Sequence, residues 1–245
     1  MMIDIHSHIL PVGDDGSDNL TEAVQLAQLA VAEGVTELVA TPHHRNGIWN
    51  AEREKVERLV EKVQEKLVEN HIPLKIHPGQ EIRLHDELFS DIEQDRVLFI
   101  DPYQKYLLLE LPFRSLPENA VDVVKKLVAQ KVTPIIAHPE RNQVIAQNSD
   151  LLVPLIESGA VTQLTAGSYI GEYGKAAYHS AKDLVARDLI DLFASDAHNT
   201  VDRPFYWSEF FEAFLEDYSE EYLDEKLKNA ERIMAGQVII RSKKD

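Results

Sequence analysis

Apolar and polar positions along this chain keep two alternating rhythms. Short apolar runs fall at Met2–Ile5, Glu37–Ala40, Leu74–Ile82, Tyr106–Leu111, Thr133–Ala137, Val161–Leu164 and Leu189–Ala194. Several, such as Tyr106-Leu-Leu-Leu-Glu-Leu111 and Thr133-Pro-Ile-Ile-Ala137, are apolar almost throughout. That pattern suits strands buried on both faces of a parallel sheet. Between the runs lie helical periods. Val56, Leu59, Val60, Val63 and Leu67 form an i, i+3, i+4, i+7 stripe that predicts a helix over Ala51–Glu69. Leu20–Glu33 reads as a helix stopped by Gly34, Pro117-Glu118 opens another with proline in its first turn, and Glu221–Met234 supplies the last.

About seven β/α alternations follow one another without a linker, a low-complexity stretch or an internal repeat. The expectation is an α/β fold in one domain spanning residues 1–245, closed as a (β/α) barrel. An open doubly wound sheet is the alternative that alternation alone leaves standing. Its nucleotide-binding form carries a Gly-rich loop after the first strand, and none occurs here.

Composition narrows the chemistry. The 245 residues contain no cysteine, which rules out disulfides, thiolate metal sites and cysteine nucleophiles. Net charge is −17, which opposes binding to nucleic acid or anionic lipid. Much of the acid lies between Glu209 and Glu231 and reads as a solvated helix face. The start, Met1-Met-Ile-Asp-Ile-His6, lacks a basic n-region and a long apolar run. No stretch reaches the roughly 20 apolar residues of a membrane helix. A cytoplasmic protein without direct membrane insertion is expected.

Against that frame the histidines and carboxylates stand out. His6 and His8 lie at i and i+2 where the first strand ends, so both imidazoles leave the same side. Asp196 and His198 repeat the spacing after Asp191-Leu-Phe-Ala-Ser195. His43 follows Ala40-Thr41-Pro42, and His138 follows Pro134-Ile-Ile-Ala137. In barrel enzymes the active site gathers at such strand ends. Glu110 is flanked by leucines, where an unpaired carboxylate would cost several kcal/mol to bury; a metal would compensate it. Glu81, in Pro78-Gly-Gln-Glu-Ile82, gains weight from this company. Asp15, in Asp14-Asp15-Gly16, reads either as a ligand or as part of an Asx turn. Sulfur-free donors in this number suit two or three ions of Mn, Fe or Zn. A multinuclear centre supplies an activated water and clamps an oxyanion, which is the chemistry of phosphoester hydrolysis. Arg141 and Arg203 each trail a ligand motif by a few residues, and guanidinium forks grip phosphate oxygens. His44 is a candidate for lining the substrate mouth, whereas His71, His77, His85 and His179 read as structural or exposed.

Together Asp4-Ile-His-Ser-His8, Thr41-Pro-His43, Gly79-Gln-Glu81, Leu109-Glu110, Ala137-His-Pro-Glu-Arg141, Thr165-Ala-Gly-Ser168 and Ser195-Asp-Ala-His198 resemble the PHP (polymerase and histidinol phosphatase) superfamily. Within it the chain looks like the CpsB/CapC/YwqE family of bacterial tyrosine-protein phosphatases from capsule and exopolysaccharide operons. The resemblance runs from Met2 to about Pro204. It implies a distorted (β/α)7 TIM-like barrel with a trinuclear, usually manganese-supported site. One ion would sit among His6, His8, Glu81 and Asp196. A second would take Glu81 as a bridge with Glu110 and His138, and a third Asp15, His43 and His198. Arg141 and Arg203 match the family's phosphate-binding arginines. The implied activity is removal of phosphate from tyrosine on a membrane-associated autokinase that controls polysaccharide export. One departure marks this chain. The family's Pro-Gly-x-Asp-Asp-Gly becomes Pro11-Val-Gly-Asp-Asp-Gly16, so the turn into Asp15 is where a difference is expected. Competing readings are a PHP phosphatase of a small ester such as histidinol phosphate, an amidohydrolase, and a non-catalytic PHP scaffold. A degenerate scaffold would have lost ligands, and the set here is complete.

Overall fold

A computed structural model describes residues 2–241. In chain order its strands are β1 (Ile3–Ser7), β2 (Glu37–Ala40), β3 (His43–His44), β4 (Lys75–Pro78), β5 (Glu81–Arg83), β6 (Tyr106–Glu110), β7 (Thr133–Ala137), β8 (Val161–Thr165) and β9 (Leu192–Ala194). The helices are α1 (Leu20–Ala32), α2 (Arg53–Glu69), α3 (Leu88–Glu93), α4 (Ala120–Ala129), α5 (Gln143–Gln147), α6 (Val153–Glu157), α7 (Ala166–Ile170), α8 (Lys175–Ala186), α9 (Trp207–Asp217) and α10 (Glu220–Met234).

All strand pairings are parallel, in ladders ordered β1-β2-β4 and β3-β5-β6-β7-β8-β9. The two ladders are one ring. Thr41-Pro42 separates β2 from β3, and Gly79-Gln80 separates β4 from β5. Hydrogen bonds from Gly79 N to Ala40 O (2.9 Å) and from Glu81 N to Pro42 O (3.1 Å) carry the pairing across both breaks. At the other edge Ser7 bridges Ala197, with Asp196 N donating to His6 O at 2.9 Å and His8 N to Ala197 O at 2.8 Å. Counting each broken pair once gives seven strands around a closed barrel, which leaves no exposed sheet edge among the described residues.

Leu74–Ile82, expected as one strand, is therefore two. Pro42 opposite the break has no N–H to donate. Gln80 turns its buried side chain out of the ladder, donating to Ala51 O at 2.6 Å and accepting from Leu98 N at 2.7 Å. Helix α2 keeps the predicted stripe, with Val56, Val60, Val63 and Leu67 buried. Each contributes on the order of 1.5–3 kcal/mol by leaving water. The acidic C-terminal stretch buries more than its composition suggests, because Phe210 and Phe214 of α9 pack with Phe193 and Tyr169, and Trp207 packs on Phe210.

The barrel interior has two storeys. The floor is apolar: Ile3, Ile5, Tyr106, Leu108, Ile135, Val161 and Leu192 meet Ala230 and Ile233 of α10, which seals that end. Above the floor the same strands turn polar. Strict alternation in β1 would send His6 to the opposite face from Ile5. The β1–β2 register shifts between Asp4 and Ser7. That irregularity lets Ile3 and Ile5 serve the floor while His6 reaches Gln163 of β8, two residues above Val161.

Candidate metal centre and its arginines

Fully buried Glu81, first residue of β5, is the hub. Its Oε1 lies 2.6 Å from His138 Nε2. Its Oε2 lies 2.8 Å from His43 Nδ1, 3.4 Å from His8 Nε2 and 3.5 Å from His6 Nε2. Asp196 Oδ1 faces the same histidine pair, 3.2 Å from His6 Nε2 and 3.3 Å from His8 Nε2. Those two nitrogens are 3.4 Å apart. Glu110 Oε2 stands 3.8 Å from His43 Nδ1, and Asp15 Oδ1 lies 3.3 Å from His198 Nε2 and 3.4 Å from His43 Nε2.

Local backbone explains how strand ends deliver these groups. His138 (φ 31°) and Asp196 (φ 54°) are both in the left-handed region. Such positions cost roughly 1–3 kcal/mol each and persist where surrounding structure over-determines them. The loop carrying Asp15 folds back over β1, with Ser17 N donating to His8 O at 3.1 Å. A Cβ on Gly16 would sit 2.0 Å from that oxygen, so only glycine permits the approach. The shifted glycine before Asp14 does not keep Asp15 out of the cluster.

The donors fit metal ions. Four overlapping groups bring ligand atoms within 4.8 Å of one another: His8, Asp15, His43 and His198; His6, His8 and Glu81; His6, His138 and Asp196; His43, Glu81 and Glu110. Glu81 Oε2, His43 Nδ1 and His198 Nε2 are buried without a hydrogen-bond partner of good geometry. The 3.2–3.5 Å spacings around the His6–His8 pair match ligands about 2.1 Å from one ion, which stand roughly 3.0–3.4 Å apart. Second nitrogens are held from behind: His6 Nδ1 by Gln163 Oε1 (2.9 Å), His8 Nδ1 by Asp14 Oδ2 (3.2 Å) and His198 Nδ1 by the Asp196 carbonyl (2.8 Å). Each contact leaves Nε2 aimed into the cluster.

Electrostatics divides the histidines. Burial resists charge on His6, but Asp196 and Glu81 outweigh it and push its pKa up to about 10. His8 is likewise raised despite burial, by Asp14, Asp196 and Glu81. His198 goes the other way, lowered to about 4 by burial and by His8. Glu81 and Asp196 stay ionised despite burial, Glu81 through His43, His6 and His138, Asp196 through Arg203, His6 and His198. Burial and the Glu81 charge raise Glu110.

Both predicted arginines reach the cluster. Arg141 Nη1 and Arg203 Nη2 converge on Asp196 Oδ2, the latter at 2.9 Å, and Arg203 Nη1 lies 3.3 Å from Asp15 Oδ2. His44 turns away from it. It is buried, with Nδ1 2.9 Å from Ala51 O and Nε2 3.9 Å from Asp91, and does not join the ligand groups among the described residues. Sequence reasoning passed over four participants. Asp14 and Gln163 orient histidines, and Arg83 Nε donates to Glu110 Oε2 at 2.8 Å. Trp49 stacks on His43 with ring centres 5.4 Å apart and planes 8° from parallel. Arg83 was legible, two residues beyond Glu81 on the same face of β5. Asp4 is a different case. It accepts from Ser195 N, His6 N and Trp207 Nε1, tying β1 to β9 and α9.

The profile of the family described as capsular polysaccharide synthesis, CpsB/CapC, matches residues 2–235. The chain belongs to the CpsB/CapC family. A tyrosine-protein phosphatase of Bacillus subtilis (strain 168), YwqE, is 38% identical over 240 residues, covering 98% of this chain and 94% of that protein. A solved structure from work on YwqE and on CpsB from Streptococcus pneumoniae, named there metal-dependent tyrosine phosphatases, superposes with a TM-score of 0.94. That match has 37% identity and covers 100% of this chain and 98% of the other. An organophosphorus hydrolase from Deinococcus radiodurans shares the barrel fold at TM-score 0.60 and 10% identity, over 95% of this chain and 92% of its own. The distorted (β/α)7 barrel of this CpsB/CapC chain is closed by a strand ring and carries its polar cluster at one mouth.

Proposed function

We propose that this chain is a metal-dependent protein-tyrosine phosphatase acting on phosphotyrosine of a bacterial, membrane-associated tyrosine kinase in capsule or exopolysaccharide synthesis. The observation that carries the reading is the convergence of Arg141 and Arg203 on Asp196 at the edge of a buried His/carboxylate cluster. Two guanidiniums that share one carboxylate keep N–H donors for an anionic group, and Arg203 Nε is buried without a hydrogen-bond partner of good geometry. In this reading His6, His8, Glu81 and Asp196 hold one ion; Glu81, Glu110 and His138 a second; Asp15, His43 and His198 a third. His43 also faces Glu81 and Glu110, so it stands between the last two sets. Manganese is the proposed metal, with iron and zinc acceptable to the same donors.

The bound ions would supply an activated water and draw charge from the phosphoryl oxygens. Arg141 and Arg203 act on the substrate by gripping its non-bridging oxygens, orienting phosphorus and neutralising charge that grows in the transition state. Gln163 and Asp14 keep His6 and His8 in the tautomer that presents Nε2. A tyrosine leaving group, with a pKa near ~10, departs without a dedicated acid more readily than an alkyl alcohol. The proposed place of action is the cytoplasm, where the enzyme would meet its kinase at the membrane surface; no helix among the described residues is long and apolar enough to cross a membrane.

Purified protein with Mn2+ is expected to hydrolyse a phosphotyrosine peptide far faster than histidinol phosphate and to lose activity to chelator. The reverse substrate preference would replace the protein substrate by a small ester. A preparation that binds only trace transition metal would favour a scaffold.

A further inference from the structure

One motif has no part in holding ions or phosphate. Thr165-Ala-Gly-Ser168 closes β8 and opens α7, beside the turn Pro139–Arg141 that follows His138. Fully buried Glu140 of that turn accepts from Ser168 Oγ at 2.8 Å and from Thr165 N at 3.1 Å. The motif therefore anchors the residue next to Arg141. Its glycine serves a second neighbour. A Cβ on Gly167 would come within 2.7 Å of Tyr173 Cε2 and 3.1 Å of Tyr206 Cδ2, so the Tyr173 ring rests where a side chain would otherwise be. Over that ring lie both guanidiniums, Arg141 Cζ at 4.7 Å and Arg203 Cζ at 5.6 Å from its centre.

Two long, like-charged side chains do not converge without help. Each has several rotatable bonds to immobilise, and each repels the other. The Asp196 carboxylate restrains both here, but a carboxylate committed to an ion has less charge left for them. An aromatic face attracts cations without competing for their hydrogen bonds.

We propose that Tyr173, seated on Gly167, is a positioning residue whose ring holds Arg141 and Arg203 ready for one phosphoryl group. The inference rests on the reading that these arginines bind phosphate. It assigns the Thr165–Ser168 motif a purpose: Ser168 fixes the Arg141 turn through Glu140, and Gly167 makes room for the ring.

The test uses inorganic phosphate as ligand, measured by calorimetry and by inhibition, together with metal content. Tyr173→Leu is expected to weaken phosphate binding by about tenfold with wild-type metal content, whereas Tyr173→Phe keeps the ring and stays within about twofold of wild type. Gly167→Ala should behave as Tyr173→Leu does. In an Arg141→Ala/Arg203→Ala background, Tyr173→Leu should cost nothing further. Phosphate binding unchanged by Tyr173→Leu, the same loss in the arginine-free background, or a loss that tracks falling metal content would each overturn the proposal. Wild-type phosphate binding by the arginine-free protein would instead overturn the reading of the arginines.

Discussion

Floor and mouth of this barrel are made by the same strands a few residues apart, yet they solve opposite problems. The floor joins Ile3, Ile5, Leu108, Ile135 and Leu192 to the α10 residues Ala230 and Ile233. It needs nothing beyond the chain, because apolar burial is favourable wherever shapes fit. At the mouth Glu81 and Asp196 are buried yet held well below the usual carboxylate range, while His6 and His8 beside them are pushed up. Burying a charge pair repays its desolvation poorly. The lesson is a division of labour: the floor supplies stability that the mouth spends on readiness for ions.

The largest expected effect comes from crossing that division. Glu110→Gln should lower kcat/KM by about a thousandfold or more, while urea unfolding of the metal-free protein shifts little, since the lost carboxylate is one that burial and the Glu81 charge already disfavour. Ile135→Ala should do the reverse, losing about 2–5 kcal/mol of stability with kcat/KM unchanged in the protein that remains folded. Similar profiles for the two variants would erase the distinction.

A smaller effect separates ligands from their supports. Gln163→Leu removes the partner of His6 Nδ1 and should weaken metal affinity by about 10–100-fold without altering which substrate is preferred. Competition against a chelator of known affinity measures it, and unchanged affinity would deny Gln163 its orienting role.

Smaller again is a proton count. The folded pKa of His6, about 10, exceeds its ordinary 6.5. Its contribution to metal-free stability is therefore fully present below pH 6.5 and lost as pH rises through about 10. An ion competes with that proton, so metal affinity should rise over the same window and binding at pH 8 should release protons. Calorimetry in buffers of different ionisation enthalpy reads the number; zero release would contradict the assignment. The smallest effect is none at all. With no cysteine in the chain, brief treatment with iodoacetamide should leave activity untouched, and a loss of activity would point to alkylation of a histidine in the cluster.

Sequence alone carried the floor and most of the cluster, because strand runs and i, i+2 ligand pairs are local signals. What it hid was non-local. β3 went unseen because Pro42 ends the apolar run before His43-His44 pairs with β5. The irregularity in β1 leaves no mark in composition, although Ile3, Ile5 and His6 cannot share one face without it. Gln163 was visible only as an amide inside an apolar strand, and Tyr173 lies in a turn with no periodicity at all. Helix α8 was missed, and α9 was read only as a solvated acidic face, for a different reason: buried stripes such as Phe210 and Phe214 are diluted by charge on the exposed side.

The clasp at Asp4 has a temporal meaning. Its carboxylate meets Ser195 N, 191 residues further along the chain, at the seam where β1 and the segment after β9 bring His6 and His8 to Asp196 and His198. A polypeptide emerging from the ribosome carries its first two histidines early but lacks Asp196 and His198, which face them, until the ninth strand has been made. The cluster is thereby completed by the last closure of the ring, and a chain ended before β9 would hold only part of it.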